Sequence, residues 1–319
     1  MSKTGLTDDD AWLARRRVET FTALELQAME FPPLQWVVPG YVVEGLTLLA
    51  GKPKIGKSWM TLDWALAVAY GGMAFGSVQC EAGDVLYCAL EDNHRRLQRR
   101  VGQLLPHCEW PDRVSFTMKT PRLDAGAIDK FRDWTLKAEK PRLIVIDTFK
   151  QIKPPRQRQD SNYDHDYDAL APLQDLAGEL GLGIVAVHHT RKQESDDPLD
   201  TISGTTGLTG AVDTAIVLGR DSQGTTLYGR GRDIDDIETA IAFDKTTGRW
   251  SILGDANEVR QSDARKAITA ALRDATTPLG PKEVADLTSV GEGTVRHLLL
   301  KMVASGTIIK AARGKYLAA

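Results

Sequence analysis

From Gly45 onward the chain alternates short apolar runs with longer segments of helical period. The runs Gly45–Ala50, Asp84–Leu90, Leu143–Asp147, Gly183–His188, Thr214–Leu218 and Thr225–Arg230 each predict a strand. Strands separated by helical segments predict βα units on a mostly parallel sheet, an α/β fold. The segment after Lys57 (SWMTLDWALAVAYGG) reads as a helix that Gly71-Gly72 stops. Ahead of this core, residues 1–30 are polar and charged, with one short helix expected from Phe21 to Glu30. Pro32, Pro33, Pro39 and Gly40 then punctuate the chain. Around Asp255 the pattern changes, and Ser262 is expected to cap a new helix. The domains expected are an N-terminal arm over 1–30, an α/β domain over 31–255 and a small domain over 256–319.

A length of 319 residues suits one large α/β domain with a small appendage, and 42% hydrophobic with 26% charged residues allows a real core. No apolar run approaches the length of a membrane span, and the N-terminus (MSKTGLTDDD) has no apolar signal segment, so a cytoplasmic protein is expected. Cys80, Cys88 and Cys108 show no metal-ligand spacing and read as buried, reduced thiols. The net charge of −3 points to no nucleic-acid partner by itself. Its distribution changes that picture. Residues 260–319 hold ten Lys/Arg against five Asp/Glu, which leaves −8 on residues 1–259, so the tail is expected to meet something the body does not.

The strongest chemical signal is Gly51-Lys52-Pro53-Lys54-Ile55-Gly56-Lys57-Ser58, which matches G-x-x-x-x-G-K-[ST] at every fixed position. It follows the apolar strand LTLLA and precedes a long helix. The inward backbone N–H groups of such a loop, with the positive end of the helix, wrap polyphosphate. Lys57 is placed to reach the β/γ-phosphates of ATP and the Ser58 hydroxyl to ligate Mg²⁺. The nucleotide-binding stretch is expected to run from Gly51 to Trp59.

Three further strand ends carry candidate chemistry. Arg142-Leu-Ile-Val-Ile-Asp147 ends in a carboxylate, the form of a Walker B strand, and Asp147 is expected in the Mg²⁺ shell. Glu91-Asp92 ends the strand read as lying beside the phosphate loop, and Glu91 is the favoured water-activating base. The alternative is that these acids cap the basic helix NHRRLQRRV, a reading that suits Asp92 better. His188-His189 follows a strand and offers a γ-phosphate sensor, although a histidine at a strand end is usually structural. Arg230 and Arg232, two apart on an extended backbone, point the same way. They suit an arginine finger reaching a neighbour's nucleotide, but on spacing alone a solvated basic hairpin is the better reading.

Trp36-Val-Val-Pro-Gly40, the run Leu49 to Trp59, Ala89-Leu-Glu91-Asp92, Val145-Ile-Asp147-Thr148, Val187-His188-His189-Thr190 and Gly210-Ala-Val-Asp213 together resemble the RepA-like AAA ATPases of plasmids, phages and mobile elements. The resemblance covers about residues 31–254. It implies a RecA-like fold and usually a hexameric ring, with nucleotide between subunits and single-stranded DNA through the centre. It further implies Lys57 and Ser58 as nucleotide ligands, Glu91 as base, Asp147 as metal acid and His188 as sensor, with His189 the alternative. It favours Arg230 and Arg232 as fingers. The loops after Asp147 and Arg191 become pore candidates. The first is basic (Lys150–Arg158) and the second acidic (Ser195–Asp200), so the first is the better DNA contact.

Residues 262–319 read as helix, helix, turn, helix and hairpin, which resembles a winged helix-turn-helix. Arg296, Lys301, Lys310, Arg313 and Lys315 are its candidate duplex contacts, against the alternative of a purely protein-binding module. The leading expectation is an ATP-driven replicative DNA helicase or translocase, with the tail recruiting it to DNA, an initiator or a loader. A RecA-like recombination or strand-annealing ATPase and an ATP-gated DNA-binding regulator are the competing readings.

Overall fold

The computed structural model describes residues 20–156, 161–191, 195, 197–202, 206–221 and 224–318. The chain divides into two compact units, Met1–Leu34 and Gln35–Ala319. Within the first, helix α1 (Ala23–Ala28) opens on a capping box. The Thr22 hydroxyl accepts from the Glu25 N–H at 3.1 Å, and the Glu25 carboxylate accepts from the Thr22 N–H at 2.7 Å. The helix is shorter than the expected Phe21–Glu30 because Met29 is already extended, at ψ 135°. Residues 1–19 of the arm lie outside the described residues.

The second unit is built on a nine-stranded sheet. A small hairpin, β1 (Trp36–Val38) and β2 (Val42–Val43), leads into β3 (Gly45–Gly51), which the phosphate loop joins to α2 (Lys57–Tyr70). The short pair β4 (Met73–Ala74) and β5 (Val78–Gln79) precedes β6 (Asp84–Ala89), α3 (His94–Leu104), β7 (Val114–Thr117), α4 (Ala127–Thr135) and β8 (Pro141–Asp147). Then come α5 (Asn162–Leu180), β9 (Gly183–His189), α6 (Thr206–Gly210) and four strands, β10 (Thr214–Asp221), β11 (Gly224–Gly231), β12 (Ile237–Asp244) and β13 (Arg249–Asp255). The sheet order is β13-β12-β11-β10-β3-β9-β8-β6-β7. Pairing is parallel from β10 to β7 and antiparallel from β10 to β13.

This α/β core agrees with the pattern read from the sequence, with three additions and one correction. Strands β7, β12 and β13 were not foreseen. The strand carrying Glu91 is not beside the phosphate loop, because β9 and β8 lie between β3 and β6. The two ends still meet, since α2 crosses the sheet and its Thr61 reaches Tyr87 of β6.

Alternation of side chains along the strands divides the core in two. One apolar cluster joins the sheet to α2 and α3 through Met60, Trp64, Val85, Val145, Ile216 and Trp250. The other joins it to α4 and α5 through Leu48, Phe131, Ile144, Phe149, Leu173 and Ile184. A third lies in the tail, where α7 (Ala256–Asp274), α8 (Pro281–Thr288), α9 (Glu292–Ala304) and the hairpin β14 (Ile308–Ala312) and β15 (Lys315–Ala318) bury Ile268, Val284, Leu298 and Tyr316. The first tail helix starts earlier than expected. The Asp255 carboxylate takes the N–H groups of Asn257 and Glu258, which satisfies the first turn, and Ser262 lies inside the helix. Cys80 and Cys88 are buried, but Cys108 is exposed, because it falls in the turn after α3. Among the described residues no helix is long and apolar enough to cross a membrane.

Candidate active site

The phosphate loop needs glycine where the backbone is crowded. Gly56 has φ 116°, and a Cβ there would stand 2.8 Å from the Trp250 ring, whose Nε1 donates to the Gly56 carbonyl at 3.2 Å. At the other end, a Cβ on Gly51 would stand 2.9 Å from the Leu218 carbonyl of β10. Between them Lys54 also adopts a left-handed backbone, φ 64°. Lys57 opens α2 and is only 5% exposed. Its Nζ donates to the carbonyls of Gly51 (2.6 Å) and Lys52 (3.1 Å) and lies 3.3 Å from His189 Nδ1. Burial pulls its pKa down to about 8, against the opposing pull of the Asp147 and Glu91 carboxylates.

Asp147 ends β8, buried, and accepts from the Tyr87 hydroxyl at 3.2 Å and from the Ser58 side chain. Burial holds its carboxyl above the ordinary carboxylate range. Glu91, just past β6, accepts from the Thr148 hydroxyl at 3.0 Å and the Gln151 amide at 3.2 Å. Asp92 is engaged differently. It pairs with Arg96 and, at 2.7 Å, with Arg100, whose guanidinium also lies 5.4 Å from the centre of the Trp59 ring. The cap of α3 is Asn93, which accepts from the Arg96 N–H at 2.9 Å. Asp92 is thus committed to two cations, while the Glu91 carboxylate accepts, among the described residues, from the neutral Thr148 and Gln151 side chains.

Adjacent strand residues face opposite ways, and this separates the two histidines. His189 aligns with Gly51 and borders the cleft against Lys57, and burial together with the Lys57 charge lowers its pKa. His188 instead lies edge-on to Phe149, with ring centres 6.1 Å apart. The position against the phosphate loop therefore belongs to His189, the alternative of the two. Lys57, Ser58, Glu91, Asp92, Arg96, Arg100, Asp147 and His189 line one cleft of about 430 Å³.

Arg230 and Arg232 are not in it. Gly51 registers with Leu218, whereas Arg230 registers with Ala215 and the Arg232 N–H bonds the Asp213 carbonyl, toward the opposite end of the sheet. Arg230 pairs with Asp197 at 2.6 Å and Asp236 at 3.6 Å, and Arg232 with Asp213 at 3.3 Å. Their side chains stay 58% and 59% exposed. Of the pore candidates, Gln157, Arg158, Lys192 and Asp196 lie outside the described residues. In the first loop, Lys153 is tied to Asp166.

Residues 14–195 match the family model AAA_25, described as an AAA domain. The chain belongs to this family. Solved structures share its architecture. The ATPase domain of G40P matches with a TM-score of 0.53 at 14% identity, over 77% of this chain and 99% of that one. A DnaB-like replicative helicase, described with its interactions with primase, matches with a TM-score of 0.51 at 15% identity, over 66% of this chain and 58% of that one. The protein is an AAA-type ATPase on a RecA-like core. Reading the sequence assigned no role to Tyr87, Thr148, Gln151, Arg100 or Trp250. A tyrosine inside the buried run Val85-Leu-Tyr-Cys-Ala89 was the one available signal, because a buried phenol needs a partner.

Proposed function

We propose that this AAA ATPase is an ATP-driven DNA helicase or translocase whose copies form a ring, with ATP hydrolysed between subunits and single-stranded DNA as the track. The observation that carries this reading is the separation of Arg230 and Arg232 from the cleft that holds Lys57, Glu91, Asp147 and His189. Arginines at that end of the sheet serve a nucleotide only on another copy. Both guanidinium groups are largely exposed, where water and salt screen an ion pair, so freeing either arginine costs little. The likeness to a DnaB-like replicative helicase supports the choice of DNA.

In this reading the loop from Gly51 to Trp59 binds ATP, and Lys57 turns from the Gly51 and Lys52 carbonyls to the β/γ-phosphates. Glu91 takes the proton of the attacking water, held in place by Thr148 and Gln151, and His189 senses the γ-phosphate through Lys57. Among the described residues no three acids, histidines or cysteines form a ready metal cage. The Ser58 hydroxyl and Asp147 carboxylate nevertheless fit Mg²⁺, which needs only one or two protein oxygens when phosphate and water supply the rest. A Mg²⁺ ion held by Ser58 and Asp147 would supply positive charge to the phosphates of the nucleotide. The tail, read as a winged helix, has Lys301, Lys310 and Arg313 exposed for duplex, while Arg296 is tied to Glu292 and Lys315 to Glu283.

Strand displacement on a forked DNA tests this directly. ATP and Mg²⁺ should support unwinding by the wild type. Glu91→Gln should bind ATP, hydrolyse it about two to four powers of ten more slowly, and unwind nothing. Brisk DNA-stimulated turnover with no displacement would exclude a helicase, and full activity in Glu91→Gln would move the base elsewhere.

A further inference from the structure

Strand β6 is a buried run, and its Val85, Tyr87 and Ala89 face α2. Tyr87 is 2% exposed, and its ring packs against Phe116 with centres 5.8 Å apart. A phenol buried this far must spend its hydroxyl inside the protein. The hydroxyl lies 3.0 Å from Thr61 Oγ1, 3.2 Å from Asp147 Oδ2 and 3.4 Å from the Ser58 carbonyl. Thr61 stands one turn beyond Lys57 on α2 and lies 3.3 Å from its carbonyl.

One hydroxyl has one proton, and a carboxylate is the strongest acceptor in reach. The chain that uses the two shorter contacts runs from the Thr61 hydroxyl to the Tyr87 oxygen, and from the Tyr87 hydroxyl to Asp147, with the Lys57 and Ser58 carbonyls as the more distant competing acceptors. Ala89 registers with Asp147 and Tyr87 with Val145, so the phenol approaches Asp147 from two residues deeper in the sheet. Ser58 meets the same carboxylate from the cleft. Asp147 is therefore gripped from both sides, and the inner grip connects it to the helix that presents Lys57 and Ser58.

We propose that Tyr87 is a positioning residue for the magnesium site, fixing the Asp147 carboxylate relative to the Ser58 hydroxyl through the chain Thr61–Tyr87–Asp147. The inference rests on Asp147 and Ser58 being the metal-binding pair. Without the phenol hydroxyl, one Asp147 oxygen loses its donor and Ser58 alone holds the carboxylate. Partners behind metal ligands typically control affinity by about ten- to a hundred-fold. Nucleotide contacts made by the loop backbone and Lys57 do not pass through Tyr87.

The test is Tyr87→Phe, which keeps the ring and removes only the oxygen. Binding of a fluorescent ADP is titrated with Mg²⁺, and separately in EDTA. The Mg²⁺ concentration for half-maximal enhancement should rise about tenfold or more, while affinity in EDTA stays within about twofold of wild type. ATP turnover should recover as Mg²⁺ is raised. An unchanged Mg²⁺ requirement, or equal losses with and without metal, would make Tyr87 a packing residue only. If Tyr87→Phe does not fold, Thr61→Val decides, since it weakens the same chain from the other end and should shift the requirement in the same direction. Ser58→Ala separates this inference from its foundation. If its Mg²⁺ requirement matches wild type, the metal pair is misassigned and the Tyr87 role fails with it. If Ser58→Ala shifts and Tyr87→Phe does not, only the Tyr87 role fails.

Discussion

Lys57 holds its ammonium where charge is expensive. Its stem is buried, two loop carbonyls and His189 surround Nζ, and its pKa sits near 8 rather than 10.5. A polyphosphate binds the protonated form, so the sign follows from linkage. Apparent affinity should be flat below about pH 8 and fall above it, by about tenfold between pH 7 and 9, with a proton taken up on binding at the upper end. Isothermal titration of ADP in buffers of different ionisation enthalpy reads both quantities, and affinity that is flat across this range would contradict the buried ammonium. At this scale the sequence was most informative where a spacing implies a mechanism, as in the loop from Gly51 to Ser58. It was least informative where the neighbouring element decides. The pair His188-His189 could not be resolved until β9 was seen beside β3, with His189 registering with Gly51. Tyr87 reads as core until Thr61 and Asp147 are found around its oxygen.

Among the elements, the hairpin of β12 and β13 does more than extend the sheet. Its turn is grasped by α3, where the Gln103 amide donates to the carbonyls of Lys245 and Thr246 and Arg249 donates to the Leu104 carbonyl. From it Trp250 packs on Gly56, and Gly248 fits against the Trp59 ring. The hairpin thereby clamps the phosphate loop from behind. Trp250→Phe keeps an aromatic ring and deletes the bond to the Gly56 carbonyl. It should lower unfolding free energy by about 1 kcal/mol and weaken ADP binding several-fold, read by urea unfolding and fluorescent-ADP titration. Lost stability with intact affinity would reduce the hairpin to scaffolding. The central strands were legible because burial on both faces leaves continuous apolar runs. Strands β12 and β13 were not. A bulge between Ala240 and Ile241 breaks their alternation, and their outer positions are polar. Strand β7 has only four residues and sits at the sheet edge.

At the scale of the whole molecule, the chain places its candidate chemistry at two ends of one sheet. The cleft that would bind ATP has its acids, lysine and histidine, and the exposed pair Arg230 and Arg232 lies away from it. A single copy brings them no closer. The α/β core was readable from the sequence, but this separation depends on β11 running antiparallel to β10, which no local pattern states. If the site is completed by a second copy, Arg232→Ala should bind ATP nearly as well as wild type and lose about three to five powers of ten in turnover. The most direct measurement is ATP turnover by a mixture of Lys57→Ala and Arg232→Ala proteins, each inactive alone, under conditions of verified subunit exchange. Recovery of activity is the expected result, because some interfaces then pair an intact phosphate loop with an intact arginine. No recovery, or full DNA-stimulated turnover by a monomeric wild type, would contradict an active site shared between copies.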